Sequence, residues 1–363
     1  MKKTAFFSVS SLGLGHAART APLIRSYLDS HDVHVISFGA ALAFLKEEFK
    51  GTSATFYEFA DYPPIERGKG TWKFYWYLIR DSIATVFIMN REHEFVLKLA
   101  RDVHPEFVIS DGRYGSYIPG TPSLLLTHQV SFSMPKGFGW FQSVADKFNF
   151  GKFKNFGMIL IPDYEDESAS LAGTLSHHPM LSRLNHRFVG ILTLSPRKNV
   201  EKDIDALFSI SGYLVEHRPT FINKLVEGAK KLPGKKVFVL GNPYGDRVSM
   251  PEFGIEIYPS AAGDLRADLF SRAKWIVSRS GYTTIMDLVE LETPGFLIPT
   301  PGQTEQEYLA ELLGQKGYFA VGGDDADLSA LAKTPPIGFK APWKTTESVK
   351  KVREAVSGLV KAA

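Results

Sequence analysis

The chain has 363 residues, 44% of them hydrophobic and 22% charged, and 42 Lys+Arg against 39 Asp+Glu give a formal net charge of +3. At roughly 150 residues per domain this length suggests two domains, each able to bury a full core, while the near balance of charge excludes the global positive field that holds nucleic acid. There is no cysteine, which excludes disulfides, thiolate zinc sites, iron–sulfur clusters and a thiol nucleophile, and fits a reducing compartment. No stretch reaches the roughly 18 uninterrupted apolar residues that cross a bilayer. The opening Met1-Lys2-Lys3 and Ala5 to Leu14 imitate a secretory signal, but Ser8, Ser10 and Ser11 break the apolar run and no small-residue cleavage site follows. It reads as a first buried strand.

In chain order, Thr4–Val9 reads as a strand, Ala17–Ser30 as a helix, Asp32–Ser37 as a strand and Ala40–Phe49 as a helix. Strands follow at Phe107–Ser110, Ser123–Thr127 and Gly157–Ile161. The pattern restarts with a strand at Ala206–Ser211, a helix through Phe221–Lys231, and strands at Lys236–Leu240, Trp275–Ser278 and Gly295–Ile298. Alternation of this kind predicts an α/β fold of parallel sheets covered by helices on both faces. Gly190–Asp203, with Pro196 and a polar run, reads as the linker. The division expected is therefore an amino-terminal domain over 1–195, a second domain over 196–345 and a closing helix over 346–363. Within that helix Val349, Val352, Val356 and Leu359 fall at helical spacing and need an apolar partner, which the first domain could supply.

Four segments combine strand exits with residues suited to chemistry. Ser10-Ser11-Leu12-Gly13-Leu14-Gly15-His16 follows the first strand and precedes a helix. Its glycines permit a sharp turn and close approach to a ligand, the helix start offers N–H groups to an anion, and His16 carries a side chain suited to proton transfer. Ser209-Ile210-Ser211-Gly212-Tyr213 repeats the strand-to-glycine turn. Val277-Ser278-Arg279-Ser280-Gly281-Tyr282-Thr283-Thr284 ends a strand in small residues, and the N–H groups at Ser280 and Gly281, backed by a helix dipole, form a receptacle for phosphate. Asp287, further along that helix, could accept both hydroxyls of a ribose, or could be an ordinary solvated helix residue. Pro299 to Tyr308 leads from a strand into a helix that places Gln303 and Gln306 on one face, as amides for sugar hydroxyls.

Ser278 to Thr284, Asp287, Pro294-Gly295-Phe296-Leu297-Ile298-Pro299 and Gly302-Gln303-Thr304-Glu305-Gln306-Glu307 together resemble the carboxy-terminal signature of GT-B glycosyltransferases related to MurG, of the family 28 type. Gly13-Leu14-Gly15-His16 resembles the glycine-rich loop of that superfamily, and Arg187-Phe188-Val189-Gly190 the passage leaving its first lobe. The resemblance implies two Rossmann-like, doubly wound domains facing a cleft, with a nucleotide-sugar donor, UDP-linked, held chiefly by the second and the acceptor by the first. It implies donor contacts at Gly13, Gly15, Ser211, Gly212, Ser280, Gly281, Tyr282, Thr283, Asp287, Gln303, Gln306 and Glu307. Two departures stand out: the family's ribose-binding acid is usually Glu where this chain has Asp287, and its Gln pair maps to Gln306 and Glu307.

An inverting transfer needs a base for the acceptor hydroxyl and a positive potential for the departing diphosphate. His16 is the expected base, with Asp111 (in Ser110-Asp111-Gly112-Arg113) and His128 (in Thr127-His128-Gln129) as alternatives, since all three follow strands of the first domain. No cofactor and no metal are expected; the one Asp-x-Asp, in Asp324-Asp325-Ala326-Asp327, lacks a supporting His cluster. Two aromatic and basic stretches, Arg67–Arg80 and Lys136–Phe156, suit the headgroup region of an anionic membrane, or else are core aromatics among solvated lysines. The expectation is a cytoplasmic transferase, peripheral on the inner face of the cell membrane, with a lipid or lipid-linked acceptor and no nucleic-acid partner. The alternatives are a nucleotide-sugar epimerase or hydrolase of the same fold, and a catalytically silent donor- or lipid-binding partner.

Overall fold

The computed structural model describes residues 2–62, 72–131, 142–194, 197–210, 218–241, 245–261, 263–326, 328 and 339–363, and for 72–83, 144–145 and 218 the backbone alone. Two compact units divide the chain, Met1–Leu194 with Trp343–Ala363, and Ser195–Pro342.

The first unit is built on β1 (Lys3–Val9), β2 (His31–Ser37), β3 (Thr55–Glu58), β4 (Pro105–Asp111), β5 (Ser123–Leu126), β6 (Met158–Ile161) and β7 (His186–Phe188). They form a parallel sheet in the order β3-β2-β1-β4-β5-β6-β7. The central strands are buried along most of their length, which is why they read as apolar runs rather than as alternations. On one face, α1 (Gly15–Tyr27) and α2 (Gly39–Glu48) cover a core containing Phe7, Val35, Ile109 and Leu126. The other face carries α3 (Trp72–Val103) and α4 (Gln142–Phe153), with Val96 among the residues packed on Phe6 and Val108. The 32-residue α3 was not foreseen as a helix, because its aromatic first part obscures the period.

The chain returns to this unit through Trp343. Its indole N–H donates to Val189 O at 3.1 Å, and Tyr164 Oη donates to Trp343 O at 2.7 Å. The indole lies where a Cβ on Gly190 would stand, 2.1 Å from Nε1, and Gly190 has φ +82°, so only glycine fits there. The closing helix of the chain, α9 (Thr345–Ala362; α5–α8 are in the second unit), then buries Val352, Ala355 and Val356 in the same core as Phe7 and Leu124.

The second unit contains β8 (Ala206–Ser209), β9 (Lys236–Val239), β10 (Val248–Met250), β11 (Ile255–Tyr258), β12 (Ile276–Ser278), β13 (Gly295–Leu297) and β14 (Ala320–Val321). Their order is β10-β11-β9-β8-β12-β13-β14, parallel except where β10 runs against β11. Helices α5 (Arg218–Lys230), α6 (Gly263–Arg272), α7 (Tyr282–Leu291) and α8 (Thr304–Gln315) link them. Phe208 stacks on Phe238 at 4.3 Å within a core that includes Phe221, Ile255 and Val277. Both units are thus doubly wound, as the alternation of elements predicts. In each the strand order reverses once, between β1 and β4 and between β8 and β12, and open sheets of this kind bind ligands outside the carboxyl ends of strands at that point. Among the described residues no helix is long and apolar enough to cross a membrane.

Candidate active site

In the first unit the strand order places the ends of β1, β4 and β5 side by side, with Val9 opposite Asp111 and Asp111 opposite Leu126. His16 projects from the first turn of α1, Asp111 ends β4, and His128 follows β5. The structure gathers all three around a residue that the sequence reading passed over, Arg19, one turn along α1 from His16. Arg19 Nε donates to Asp111 Oδ2 at 2.7 Å, one terminal nitrogen donates to Asp111 Oδ1, and the other to His128 Nδ1 at 2.9 Å. Thr20 Oγ1 donates to Asp111 Oδ2 at 2.7 Å, and His16 Nδ1 lies 2.7 Å from Asp111 Oδ1.

These contacts give each group a distinct state. Asp111 is fully buried and surrounded by donors. Burial alone would raise its pKa, but the Arg19 guanidinium and the His16 ring outweigh that and hold the carboxyl well below the usual carboxylate range. A carboxylate so held is a poor proton acceptor, which does not suit Asp111 to the role of base. His16 Nδ1 also lies 3.0 Å from a terminal nitrogen of Arg19; where its proton is directed to the nearer, ionised Asp111, Nε2 is left as the acceptor. The His16 side chain is 24% exposed. For His128 the logic inverts. Arginine only donates, so His128 Nδ1 is unprotonated; the buried ring positions Arg19 and is not the alternative base either.

Gly112 makes this arrangement sterically feasible. Its φ is +71°, and a Cβ there would stand 2.9 Å from His16 Cε1 and 3.2 Å from Ser10 Cβ. The imidazole therefore rests on the bare main chain after β4. The turn before α1 departs from expectation. Gly13 has φ +86° with open space beside it, as a tight turn requires, but its N–H donates to Ser11 O at 2.7 Å, and those of Ser11 and Leu12 go to Asp61 and to Ser10 Oγ. These three amides are engaged within the protein; Gly15 begins α1.

In the second unit β12 ends at Ser278, and Gly281 is the N-cap of α7 with φ −71° and ψ 138°. Glycine offers no capping side chain, and a Cβ built on it meets nothing within 4 Å, so there is room beside the helix start at Gly281. Arg279 braces the turn. Its guanidinium donates to Pro299 O at 3.1 Å and to Asp324 Oδ1 at 2.7 Å, and lies 3.6 Å from the centre of the Phe221 ring. Ser280 is fully buried, with Oγ donating to Gln306 O at 2.8 Å, so neither its hydroxyl nor its main chain is open to a ligand, and of the expected pair of phosphate donors only Gly281 keeps some exposure. Tyr282 is likewise buried, and Thr283 is half-buried.

The remaining expected donor contacts are occupied differently than their sequence suggests. Asp287 is buried, with Oδ2 accepting from Arg266 at 2.6 Å, and is not a solvated helix residue. Gln303 and Gln306 do share a face, but Gln306 Nε2 donates to Gln303 Oε1 at 2.5 Å and its Oε1 accepts from Thr300 N at 2.9 Å. Glu307 accepts from Gly302 N at 2.9 Å. All three tie down the turn between β13 and α8. Ser211 and Gly212 lie outside the described residues. Asp324 pairs with Arg279 and Asp325 with Lys224, and no group of three or more His, Asp or Glu able to hold a metal occurs among the described residues.

The two aromatic stretches separate in the same way. Residues 67–71 and 136–141 lie outside the described residues, as do the side chains of 72–83. Phe150, Phe153 and Phe156 are core residues, which corrects their reading as headgroup contacts, whereas Phe148 is 45% exposed and Phe87 on α3 62% exposed.

Comparison with known proteins bears on the second unit most directly. Residues 249–331 match the glycosyltransferase family 28 C-terminal domain. A UDP-N-acetylglucosamine–N-acetylmuramyl-(pentapeptide) pyrophosphoryl-undecaprenol N-acetylglucosamine transferase of Natranaerobius thermophilus is 31% identical over 140 residues, covering 35% of this chain and 38% of that one. The match therefore spans well under half of that relative's length. An uncharacterized glycosyltransferase of Methanosarcina acetivorans is 24% identical over 323 residues, 84% of this chain and 80% of that one. The crystal structure of Acinetobacter baumannii MurG superposes with a TM-score of 0.59 at 13% identity, over 97% of this chain and 99% of the other. Within the second unit, residues 249–331 thus match the family 28 carboxy-terminal domain, and the chain has the two-unit, Rossmann-like fold of the GT-B glycosyltransferases, MurG among them.

Proposed function

We propose that this protein is an inverting glycosyltransferase that moves a hexose or N-acetylhexosamine from a UDP-linked donor to a hydroxyl of a lipid or lipid-linked acceptor. The observation that carries the reading is the turn from β12 into α7, inside the family 28 match, where Gly281 caps the helix without a side chain and a Cβ there would meet nothing within 4 Å. Such a helix start suits a diphosphate, because N–H groups and dipole both favour negative charge. In the first unit, His16 Nε2 removes the proton from the acceptor hydroxyl as its oxygen bonds to the anomeric carbon. The bond from that carbon to the diphosphate breaks, and UDP leaves with the electron pair. Asp111 stabilises the imidazolium that forms, and Arg19 keeps Asp111 ionised and in place.

A membrane-associated acceptor is supported by the exposed Phe87 and Phe148, beside Arg91 and Lys147. The activity test screens nucleotide sugars by calorimetry and then measures UDP release with and without membrane lipid extracts. A UDP-sugar that binds, with lipid-dependent UDP release, is the expected result. His16→Ala should lower kcat by about 10²–10⁴ if His16 is the base; a loss below about tenfold would remove it from that role. Absence of binding by any nucleotide or nucleotide sugar would overturn the reading.

A further inference from the structure

The turn after β1 has the glycines and helix start of an anion-binding loop, and its first donors, the Ser10 hydroxyl and the Ser11 N–H, already face an anion from the protein. Asp61, which follows β3, is 4% exposed. Its Oδ2 accepts from Ser10 Oγ at 2.9 Å and from the Ser11 N–H, and its Oδ1 accepts from Tyr62 N at 2.8 Å. The segment bearing Asp61 is itself held from behind. Arg113, fully buried, donates to Phe59 O at 3.2 Å and Ala60 O at 3.0 Å, and its Nε to Glu92 of α3. One terminal nitrogen of Arg113 makes no hydrogen bond, and it lies 3.9 Å from Asp61 Oδ2, within reach of its charge. A continuous set of contacts therefore runs from Glu92 through Arg113 and Asp61 to Ser10 and Ser11, four residues before the start of α1 at Gly15.

We propose that Asp61 is a positioning residue whose carboxylate takes the Ser10 and Ser11 donors of the Ser10–Gly15 turn from within, so that this first part of the turn serves to aim His16 and does not cradle a ligand phosphate. A carboxylate suits this position because one oxygen can take an N–H and an O–H donor together while its charge faces a buried guanidinium. A loop held this way is set before any substrate arrives, which fixes the helix start that carries the base. The role in catalysis rests on the proposed function; the capture of these donors does not.

The test uses the full chain and two variants, Asp61→Ala and Asp61→Asn. Backbone amide spectra of the wild type should show no perturbation of Ser11, Leu12 or Gly13 by inorganic phosphate. In Asp61→Ala the Ser11 amide should exchange at least about tenfold faster, as expected for a lost buried hydrogen bond, and added formate should slow it again. For turnover, Asp61→Ala should lower kcat by about tenfold or more with donor KM nearly unchanged, since the donor lies with the other unit, and formate should restore part of it. A merely structural role would lower the amount of folded enzyme without formate rescue. Phosphate shifting Ser11–Gly13 in the wild type, or Ser11 exchange unchanged in Asp61→Ala, would overturn the proposal. If Asp61→Ala does not fold, Asp61→Asn, which keeps the shape and removes the charge, is read by the same amide exchange. A wild type without turnover would refute the transferase reading and leave the amide result to decide on Asp61.

Discussion

Replacing Asp111 with Asn tests the cluster around α1 most sharply. The carboxylate receives Arg19 at both oxygens, Thr20 at one and His16 at the other. An amide of the same shape keeps one acceptor and must turn its NH2 towards donors whichever way it is placed. Either way the neutral amide deprives a guanidinium that is 2% exposed of its counter-ion, a loss of about 3–5 kcal/mol for a broken buried pair. If the NH2 faces His16, Nδ1 must become an acceptor, the proton moves to Nε2, and the base is lost. Typical stabilities of about 5–15 kcal/mol mean that the variant should still fold, with a clearly lower urea midpoint. kcat should fall by about 10²–10⁴, the range of a general base. Because His16 and Asp111 act as one unit, the double variant with His16→Ala should be little worse than His16→Ala alone. Asp111→Asn with wild-type kcat and an unchanged urea midpoint would refute the arrangement.

Gly112→Ala places a methyl 2.9 Å from His16 Cε1 at φ +71°, so kcat should fall about tenfold or more while UDP affinity measured by calorimetry stays unchanged. Gly190→Ala puts a Cβ 2.1 Å from Trp343 Nε1 at φ +82°; backbone strain and the lost indole hydrogen bond together predict about 2–3 kcal/mol of destabilisation in urea, with red-shifted tryptophan emission. Lys152 sits 4.5 Å from the centre of the Tyr114 ring and 4.3 Å from that of Phe148, and burial pushes its amine down to about 8. Its folded pKa lies below the unfolded value of about 10.4, so folding disfavours the charged form and stability should rise as pH climbs through that window, a slope that Lys152→Met removes. Mass-spectrometric acylation should find Lys152 half-reactive near pH 8; reactivity only above about pH 10 would contradict the cage.

Much of the fold was legible in the sequence because buried parallel strands are short apolar runs and the helices between them keep their period. The strands at Thr4–Val9 and Gly295–Ile298 and the closing helix over 346–363 correspond to β1, β13 and α9 within a residue or two. What escaped was long or short: α3, whose aromatic-rich sequence obscures the period, the strands β3, β7, β10, β11 and β14, four residues or fewer, and the helices α4 and α6. The site was half legible. His16, Asp111 and His128 could be nominated because each follows a strand, and the strand order brings them together. Their hierarchy could not, because it depends on Arg19, a residue indistinguishable in sequence from any surface arginine of a helix. A similar gap hid Arg266 beside Asp287 and Asp61 beside Ser11, pairs separated by 21 and 50 positions. The glycine turns after β1 and β12 stand where the sequence places them, but which amides are filled from within is decided by such distant side chains.

Gly281→Asp measures the central claim, that the start of α7 receives the donor diphosphate. The backbone there already has N-cap geometry and the added side chain has room, so Asp should stabilise the second unit by a few tenths of a kcal/mol. The same carboxylate would stand against a bound diphosphate, and like charges about 4 Å apart repel by up to about 4 kcal/mol near a protein surface. Calorimetry should therefore find UDP binding weakened by at least about tenfold in a variant whose thermal midpoint is equal to or above that of the wild type. UDP bound equally well by both proteins would contradict the account.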